Sequence, residues 1–193
     1  ANMTNKIPKS CKVVVIGGGV AGCSTAYHLA KFGWKDTILL ERDVLTSGTT
    51  WHAAGLIGQL GSSATITKLR NYSLNLYKKL EEETGLSTGL KQNGSLTVAT
   101  TSDRLEELKR QLTFAQRFEI ESREVNKEEI KEIYPLINTE DLVGGVFIKK
   151  DGQADPVGVA NVLAKAARQN GATIIEKCPV NKILTKNNKI VGV

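Results

Sequence analysis

The first 41 residues combine two short apolar runs with a segment of helical periodicity. Residues 12–16, KVVVI, are a β-branched run typical of a strand buried on both faces. A glycine-rich turn at 17–22 follows, and apolar positions with helical spacing then continue to Gly33, where a helix would end. Residues 36–41, DTILLE, are a second buried run. The pattern predicts a β-turn-α-β unit.

The pattern changes at residue 42. Residues 42–63 show no periodicity and contain several Gly, Ser and Thr, and a long irregular segment of this kind is often functional. The rest of the sequence predicts a helix at about 64–84, with an apolar stripe of Ile66, Leu69, Leu76 and Leu80, and a helix at 102–118 with Ser102 as its N-cap. Strands are predicted at 94–100, 142–148 and 173–176. A hairpin around an Asn-Asn turn is predicted at 179–193.

Two further helices are marked by their caps. Asn126 and Glu129 have the spacing of a capping box. Asp155 is placed to cap a later helix, with Pro156 at its first position and Gly171 after its end.

This order of elements predicts an α/β protein with a Rossmann-like nucleotide-binding domain and an inserted α+β unit. We place the first part of the nucleotide-binding domain at 11–63, the start of the inserted unit at 64–150, and the second, incomplete part of the nucleotide-binding domain at 151–193. Because the last residues stop in mid-strand, we expect a chain truncated at its C-terminus, or one partner of a split protein.

Composition narrows the classes of function. The 193 residues are 40% hydrophobic and 24% charged, which is typical of a soluble globular protein. No apolar run is long enough to span a membrane and no export signal is visible, so we expect no membrane partner. The net charge is +6, but the lysines are interspersed with acidic residues, which argues against a nucleic-acid partner.

The cysteines and histidines suggest no metal. Cys11, Cys23 and Cys178 are far apart in the sequence and form no Cys/His cluster, which is typical of a reducing compartment. We therefore expect a bacterial cytoplasmic protein, or a mitochondrial matrix protein if the source is eukaryotic.

The glycine turn has the chemistry of a dinucleotide site. Gly17, Gly19 and Gly22 have G-x-G-x-x-G spacing between a predicted strand and helix, and Glu41 ends the next strand. Glycines allow a tight turn and a close approach of backbone to a pyrophosphate, and the helix N-terminus favours its charge. Glu41 can accept hydrogen bonds from ribose hydroxyls and disfavours NADP. The motif itself leaves FAD and NAD open.

Longer segments of the sequence indicate a family more specifically than the glycine motif does. GGGVAG, ILLER and SGTTWHAAGL together resemble the flavin-dependent amine oxidoreductases of the D-amino-acid-oxidase type. KLEEETGL, QNGSL, YPLINTEDLVGG, DGQADP and GATIIEKCPV are similar, in the same order, to segments of the dimethylglycine dehydrogenase and sarcosine dehydrogenase subgroup. The resemblance covers nearly all of the chain from about residue 11. It implies that the α/β domain binds FAD and that the inserted unit begins a substrate domain.

The resemblance also implies site residues. In that subgroup the His of the TWHAAG loop is bonded to the 8α-methyl of FAD, and the matching residue is His52. The other histidine, His28, receives no role. The remaining cofactor contacts that the resemblance implies are Gly17, Gly19, Val20, Ala21, Gly22, Glu41, Arg42, Gly48, Thr49, Thr50, Trp51, Ala53, Ala54, Gly55, Leu56 and Val180.

The implied reaction is oxidative demethylation of a small N-methyl amino acid, dimethylglycine or sarcosine, by hydride transfer to the flavin. Electrons then pass to an electron-transfer flavoprotein or to oxygen, and a tetrahydrofolate site would lie in a C-terminal domain outside this chain. No catalytic base can be named. Two alternatives stay open: a non-enzymatic regulatory subunit of the pyruvate dehydrogenase phosphatase type, which lacks the flavin-linking His, and an NAD-dependent dehydrogenase, favoured by the glycine motif alone.

Overall fold

A computed structural model of the chain describes residues 7–193. The helices, in chain order, are α1 (Val20–Lys31), α2 (Ala64–Thr84), α3 (Ser102–Gln116), α4 (Lys127–Ile133) and α5 (Pro156–Gln169), with a 3-10 helix at Thr50–His52. The strands are β1 (Val13–Ile16), β2 (Thr37–Leu40), β3 (Leu56–Ile57), β4 (Ser95–Ala99), β5 (Ser122–Val125), β6 (Gly144–Ile148), β7 (Gly152–Gln153), β8 (Thr173–Ile175), β9 (Leu184–Lys186) and β10 (Lys189–Gly192).

The chain divides into two compact units. The first contains the chain up to Gly55, Tyr77–Gly89 and Asp155–Val193, and the second contains Leu56–Leu76 and Leu90–Ala154. These divisions differ from the sequence-based boundaries after 63 and 150. The main reason is that β3 pairs with β7 inside the second unit, which the lack of periodicity before residue 63 did not indicate.

The first unit is built on a parallel sheet of order β1-β2-β8. All four residues of the central strand β2 are buried, as expected for a parallel strand covered on both faces. Helices α1 and α5 pack against each other, and small buried residues such as Ala26, Ala30, Ala160 and Ala164 permit a close approach. The predicted β-turn-α-β unit is therefore present.

The β9–β10 hairpin of the first unit turns at Asn187 and Asn188. Both residues have positive φ, 52° and 58°, as a two-residue hairpin turn requires. The capping of α5 also follows the prediction, because the Asp155 carboxylate accepts hydrogen bonds from the Val157 and Gly158 N–H groups and Pro156 occupies the first helical position.

The second unit is an α+β assembly. Its antiparallel sheet has the order β4-β6-β5, and apolar side chains of α3 and α4 pack against it in separate clusters. Asn126 and Glu129 form the predicted capping box at the start of α4. The predicted cap of α3 was wrong by one residue: Thr101, not Ser102, accepts the Arg104 N–H through its side chain.

The predicted stripe on α2 was only half right. Leu76 and Leu80 are buried, whereas Ile66 and Leu69 are 37% and 58% exposed. A polar residue takes the inward position in that half of the helix: Thr67 is fully buried, donates to the Ser63 carbonyl and accepts the Gly61 N–H. Local hydrogen bonds satisfy its hydroxyl, so a polar residue can be buried there.

A carboxylate closes the C-terminal end of α2. Glu81 Oε1 accepts from the Thr88 hydroxyl and from the Thr88 N–H, each at 2.6 Å. The Thr88 carbonyl in turn accepts the Asp155 N–H at 2.8 Å, next to the start of α5. The hydrogen bond from the Thr88 hydroxyl lowers the pKa of Glu81 most, and the hydrogen bond from the Thr88 N–H lowers it further.

We predict that Glu81→Gln lowers the stability of the protein at pH 7 by about 1 kcal/mol, a fall in Tm of roughly 2–4 °C. Because the pKa of Glu81 is lowered on folding, its contribution is complete above the ordinary Glu pKa of about 4.3 and is lost as the pH falls through the lowered folded value. Thermal melts between pH 7 and pH 3 should show the difference shrinking. Glu82→Gln, at an exposed neighbour, is the control; equal Tm values for Glu81→Gln and wild type at pH 7 would contradict the prediction.

Candidate functional site

The turn between β1 and α1 closes only because it lacks side chains. Gly17 has φ +106°, and its N–H donates to the Leu40 carbonyl at 2.8 Å. A Cβ on Gly22 would lie 1.9 Å from the Gly17 carbonyl oxygen, well inside any van der Waals contact. The first turn of α1 therefore rests directly on the glycine turn, which brings the helix N-terminus to the end of the sheet.

The middle glycine of the turn is equally constrained, although the G-x-G-x-x-G spacing does not single it out. A Cβ on Gly18 would lie 2.6 Å from Leu45 Cδ2 and 2.9 Å from Glu41 Cβ. The Gly18 N–H donates to Glu41 Oε2 at 2.6 Å. Three consecutive glycines are the one sequence signal that could have indicated this position.

Glu41 connects the turn to the segment after β2. Its side chain is 8% exposed, and Oε1 accepts the Asp43 N–H at 2.8 Å while Oε2 accepts that of Gly18. Each carboxylate oxygen retains a further lone pair for a ligand hydroxyl. A buried carboxylate bonded to two backbone N–H groups is held in one orientation, as a ribose-binding acid requires.

Thr50 joins the loop of residues 47–55 to the start of α1. Its Oγ1 accepts the Val20 N–H at 3.0 Å, and the Thr50 side chain is 7% exposed. A Cβ on Gly19 would lie 2.9 Å from this oxygen, so the absence of a side chain at Gly19 admits the hydroxyl. One of the free N–H groups of the helix start is thereby satisfied from a distant loop.

The segment after β8 forms the other side of the site. The Cys178 N–H donates to the Glu41 carbonyl and the Lys177 N–H to the Asp43 carbonyl, each at 2.8 Å. Lys177 and Asp43 also form an ion pair, which lowers the pKa of the Asp43 carboxyl. Val180, two residues beyond Cys178, packs on the apolar cluster that includes Leu40.

These elements enclose a cleft of about 490 Å³ in the first unit. The predicted site residues that line it are Gly17, Gly19, Glu41, Arg42, Gly48, Thr49, Thr50 and Val180. Lining residues that the sequence did not indicate are Ile16, Gly18, Leu40, Pro179 and Asn181. The predicted residues outside its lining are Val20, Ala21, Gly22, Trp51, His52, Ala53, Ala54, Gly55 and Leu56.

His52 ends the 3-10 helix that begins at Thr50, and its side chain is exposed. The Trp51 and His52 rings lie 3.7 Å apart between centroids and are tilted by 35°. Ala53 and Ala54 are exposed as well. The other histidine, His28, is half-buried within α1, where its Nδ1 lies 2.7 Å from the Ser24 carbonyl oxygen.

The cleft fits a dinucleotide. Gly17 and Gly48 line it, and a Cβ at either position would meet no atom within 4 Å, so their backbone is open to a ligand. Helix geometry leaves N–H groups without intrahelical partners at the start of α1, and the helix dipole makes that end favourable for a diphosphate.

Across residues 7–193, no group of three or more His, Cys, Asp and Glu side chains could hold a metal ion, and no helix is long and apolar enough to cross a membrane.

Comparison with known proteins gives a family match over almost the entire chain. The family model DAO, FAD dependent oxidoreductase, matches residues 12–193. Human mitochondrial sarcosine dehydrogenase is 47% identical over 92% of this chain and 19% of its own length. Human mitochondrial dimethylglycine dehydrogenase is 41% identical over 92% of this chain and 20% of its length. The mitochondrial pyruvate dehydrogenase phosphatase regulatory subunit of Mus musculus is 40% identical over 97% of this chain and 21% of its own length.

The solved structure of L-proline dehydrogenase from P. horikoshii has the same α/β fold. Its TM-score is 0.88 at 30% identity, over 95% of this chain and 48% of that chain. The chain thus spans about a fifth of the length of the curated relatives named above and about half of this structure. The resemblance found in the sequence is confirmed.

We predict that Gly22→Ala costs about 3 kcal/mol or more, because the added methyl group would collide with the Gly17 carbonyl and backbone must move. The Tm should fall by roughly 6–12 °C. Gly48→Ala is the matched control, since its Cβ meets no atom and its φ is not positive, and its Tm in the absence of ligand should equal that of the wild type. Equal Tm values for the two variants would contradict the proposed close contact.

Proposed function

The chain belongs to the DAO family of FAD-dependent oxidoreductases, and on that premise we propose that the whole protein removes a methyl group oxidatively from a small N-methyl amino acid, dimethylglycine or sarcosine. The names of two relatives support this substrate class, since both name an N-methylated glycine. The observation that carries the proposal is the hydrogen bond from the Val20 N–H to Thr50, which anchors the loop that bears His52 beside the nucleotide cleft.

In this proposal the cofactor lies along the residues already located. The backbone of Gly17–Gly22 and the first turn of α1 bind the diphosphate, Glu41 binds the ribose, and the backbone of Val180 borders the adenine. Gly48–Leu56 run beside the flavin, with Trp51 as an apolar wall. The geometry of the cleft supports the first three contacts, and the resemblance supports the flavin loop.

FAD, when bound, supplies the acceptor for the hydride that leaves the N-methyl carbon. As that C–H bond breaks, the amine nitrogen lone pair forms the iminium double bond, and water then releases formaldehyde and the demethylated amine. In a variant of this route tetrahydrofolate, bound outside this chain, takes the one-carbon unit. The proposed electron acceptor is an electron-transfer flavoprotein or oxygen. Residues of this chain would orient and tune the cofactor.

His52 is proposed as a covalent tether. His52 would hold FAD through a C–N bond from an imidazole nitrogen to the 8α-methyl carbon, and the two protons and two electrons released when that bond formed would reduce dioxygen to hydrogen peroxide. The exposure of His52 leaves the imidazole accessible for this bond. An electron-withdrawing imidazole on the ring should make the flavin a stronger oxidant.

A non-enzymatic regulatory function is the second candidate. It is favoured by 40% identity to the phosphatase regulatory subunit over 97% of the chain. The presence of His52 argues against it, because the resemblance assigns no flavin-linking His to that protein. A nicotinamide enzyme is not favoured, since the matching family uses FAD. The cellular location stays a prediction.

The first test is acid precipitation of the whole protein followed by washing. We expect yellow, fluorescent flavin to stay attached in the wild type and in His28→Gln, and to be lost in His52→Ala. His28→Gln is a matched control, because it removes the only other histidine of the chain. Flavin that washes away from the wild type would reject the tether while allowing dissociable FAD.

The second test addresses the substrate. Under anaerobic conditions dimethylglycine or sarcosine should bleach the flavin absorbance of the whole protein within seconds to minutes, and trimethylglycine should not. Its quaternary nitrogen has the same carboxylate and methyl groups but no lone pair to form an iminium. If neither amine bleaches the flavin, the substrate class is refuted and the regulatory alternative is favoured.

A further inference from the structure

The backbone that carries His52 is held within the first unit. Thr50, at the start of the 3-10 helix, is 7% exposed, and its Oγ1 accepts the Val20 N–H at 3.0 Å. The His52 N–H donates to the Thr49 carbonyl at 3.2 Å. The Ala53 N–H donates to the Thr50 carbonyl at 3.1 Å, and the 3-10 helix lies against α5 of the same unit. These hydrogen bonds place the His52 backbone, so the direction of its imidazole depends on the side chain alone.

The imidazole lies against the indole ring of the preceding residue. The ring centroids of Trp51 and His52 are 3.7 Å apart, and the ring planes are tilted by 35°. A 3-10 helix has three residues per turn, so successive side chains leave it about 120° apart and do not face each other by default. The two side chains have therefore turned toward each other, as aromatic rings that attract one another do.

The contact with Trp51 leaves the reactive atoms of the imidazole uncovered. Within residues 7–193, no hydrogen bond involves a ring nitrogen of His52. His28 differs, because its Nδ1 lies 2.7 Å from the Ser24 carbonyl oxygen. The lone pair that a neutral imidazole nitrogen uses to form a bond lies in the ring plane, whereas a stacked neighbour covers a ring face. Trp51 can thus restrict rotation of the imidazole without occupying either nitrogen.

We infer that Trp51 is a positioning residue, whose indole stacks on the His52 imidazole and fixes the ring plane in which a nitrogen meets the 8α carbon of FAD. This inference rests on the proposed function. It gives the indole, which is 57% exposed, a partner within the protein in addition to its proposed place as an apolar wall beside the flavin.

The rate of flavin attachment tests the role of Trp51. Whole apoprotein is prepared under riboflavin limitation, mixed with saturating FAD in air, and sampled into acid to measure attached flavin over time. Trp51→Leu keeps an apolar side chain but removes the flat ring, and we expect it to slow attachment about tenfold. Trp51→Phe keeps an aromatic face and should stay within about threefold of the wild type. Trp34→Leu, which removes the other tryptophan of the chain, is the matched control and should attach flavin at the wild-type rate.

The stack itself can be measured by NMR of the whole apoprotein labelled at its histidine rings. The resonance that is missing from His52→Ala identifies the His52 imidazole. The ring current of a stacked indole shifts protons above its face upfield, so Trp51→Leu should abolish this shift and Trp51→Phe should retain part of it. An unchanged His52 resonance in Trp51→Leu would overturn the inference.

Affinity for the cofactor separates positioning of the imidazole from contact with the flavin. In a His52→Ala background, Trp51→Leu should change the Kd for dissociable FAD less than about threefold, because Leu keeps an apolar contact. Attachment at the wild-type rate in Trp51→Leu would overturn the positioning role, as would a loss of FAD affinity as large as the loss of attachment rate. Wild-type protein without attached flavin would instead refute the tether in the proposed function, whatever the NMR result.

Discussion

The contact between the first turn of α1 and the glycine turn is the constraint on which the rest of the site depends. Because Gly22 has no Cβ, the helix rests on the Gly17 carbonyl, and the helix N-terminus stands at the end of the parallel sheet. That placement puts the Gly18 N–H within reach of Glu41 and the Val20 N–H within reach of Thr50. The floor of the cleft, the Glu41 carboxylate and the loop that borders the cleft therefore all depend on the contact between Gly22 and the Gly17 carbonyl.

Hydrogen bonds to backbone N–H groups, more than side-chain packing, hold the functional loop. Thr50 is itself buried, and its side chain accepts the Val20 N–H at the start of α1. Each bond contributes on the order of 1 kcal/mol, more where the acceptor is charged. The 3-10 helix that begins at Thr50 leaves the imidazole of His52 exposed, which suits a residue proposed to form a bond with a cofactor.

Sequence patterns were sufficient wherever a few consecutive residues decide the structure. The glycine spacing, the capping box of Asn126 and Glu129, and the Asp155 cap are local, and the structure has them as expected. The patterns failed where contacts outside the segment decide. Strand β3 has two residues and exists only because β7 pairs with it, and Ile66 and Leu69 are exposed because Thr67 takes the inward position.

By itself the sequence determined the βαβ unit, because spacing, caps and glycines act within a few residues of each other. The family and the candidate residues of the flavin loop came instead from the resemblance of longer segments to a known family. Only the tertiary structure decided which groups meet: Gly18 with Glu41 over 23 residues, and Gln59 with Asp151 over 92. No periodicity encodes such pairs, since they arise when separate segments are brought together and each buried polar group must find a partner. The same reason explains why the sequence did not indicate Gly18, whose constraint comes from Glu41 and Leu45.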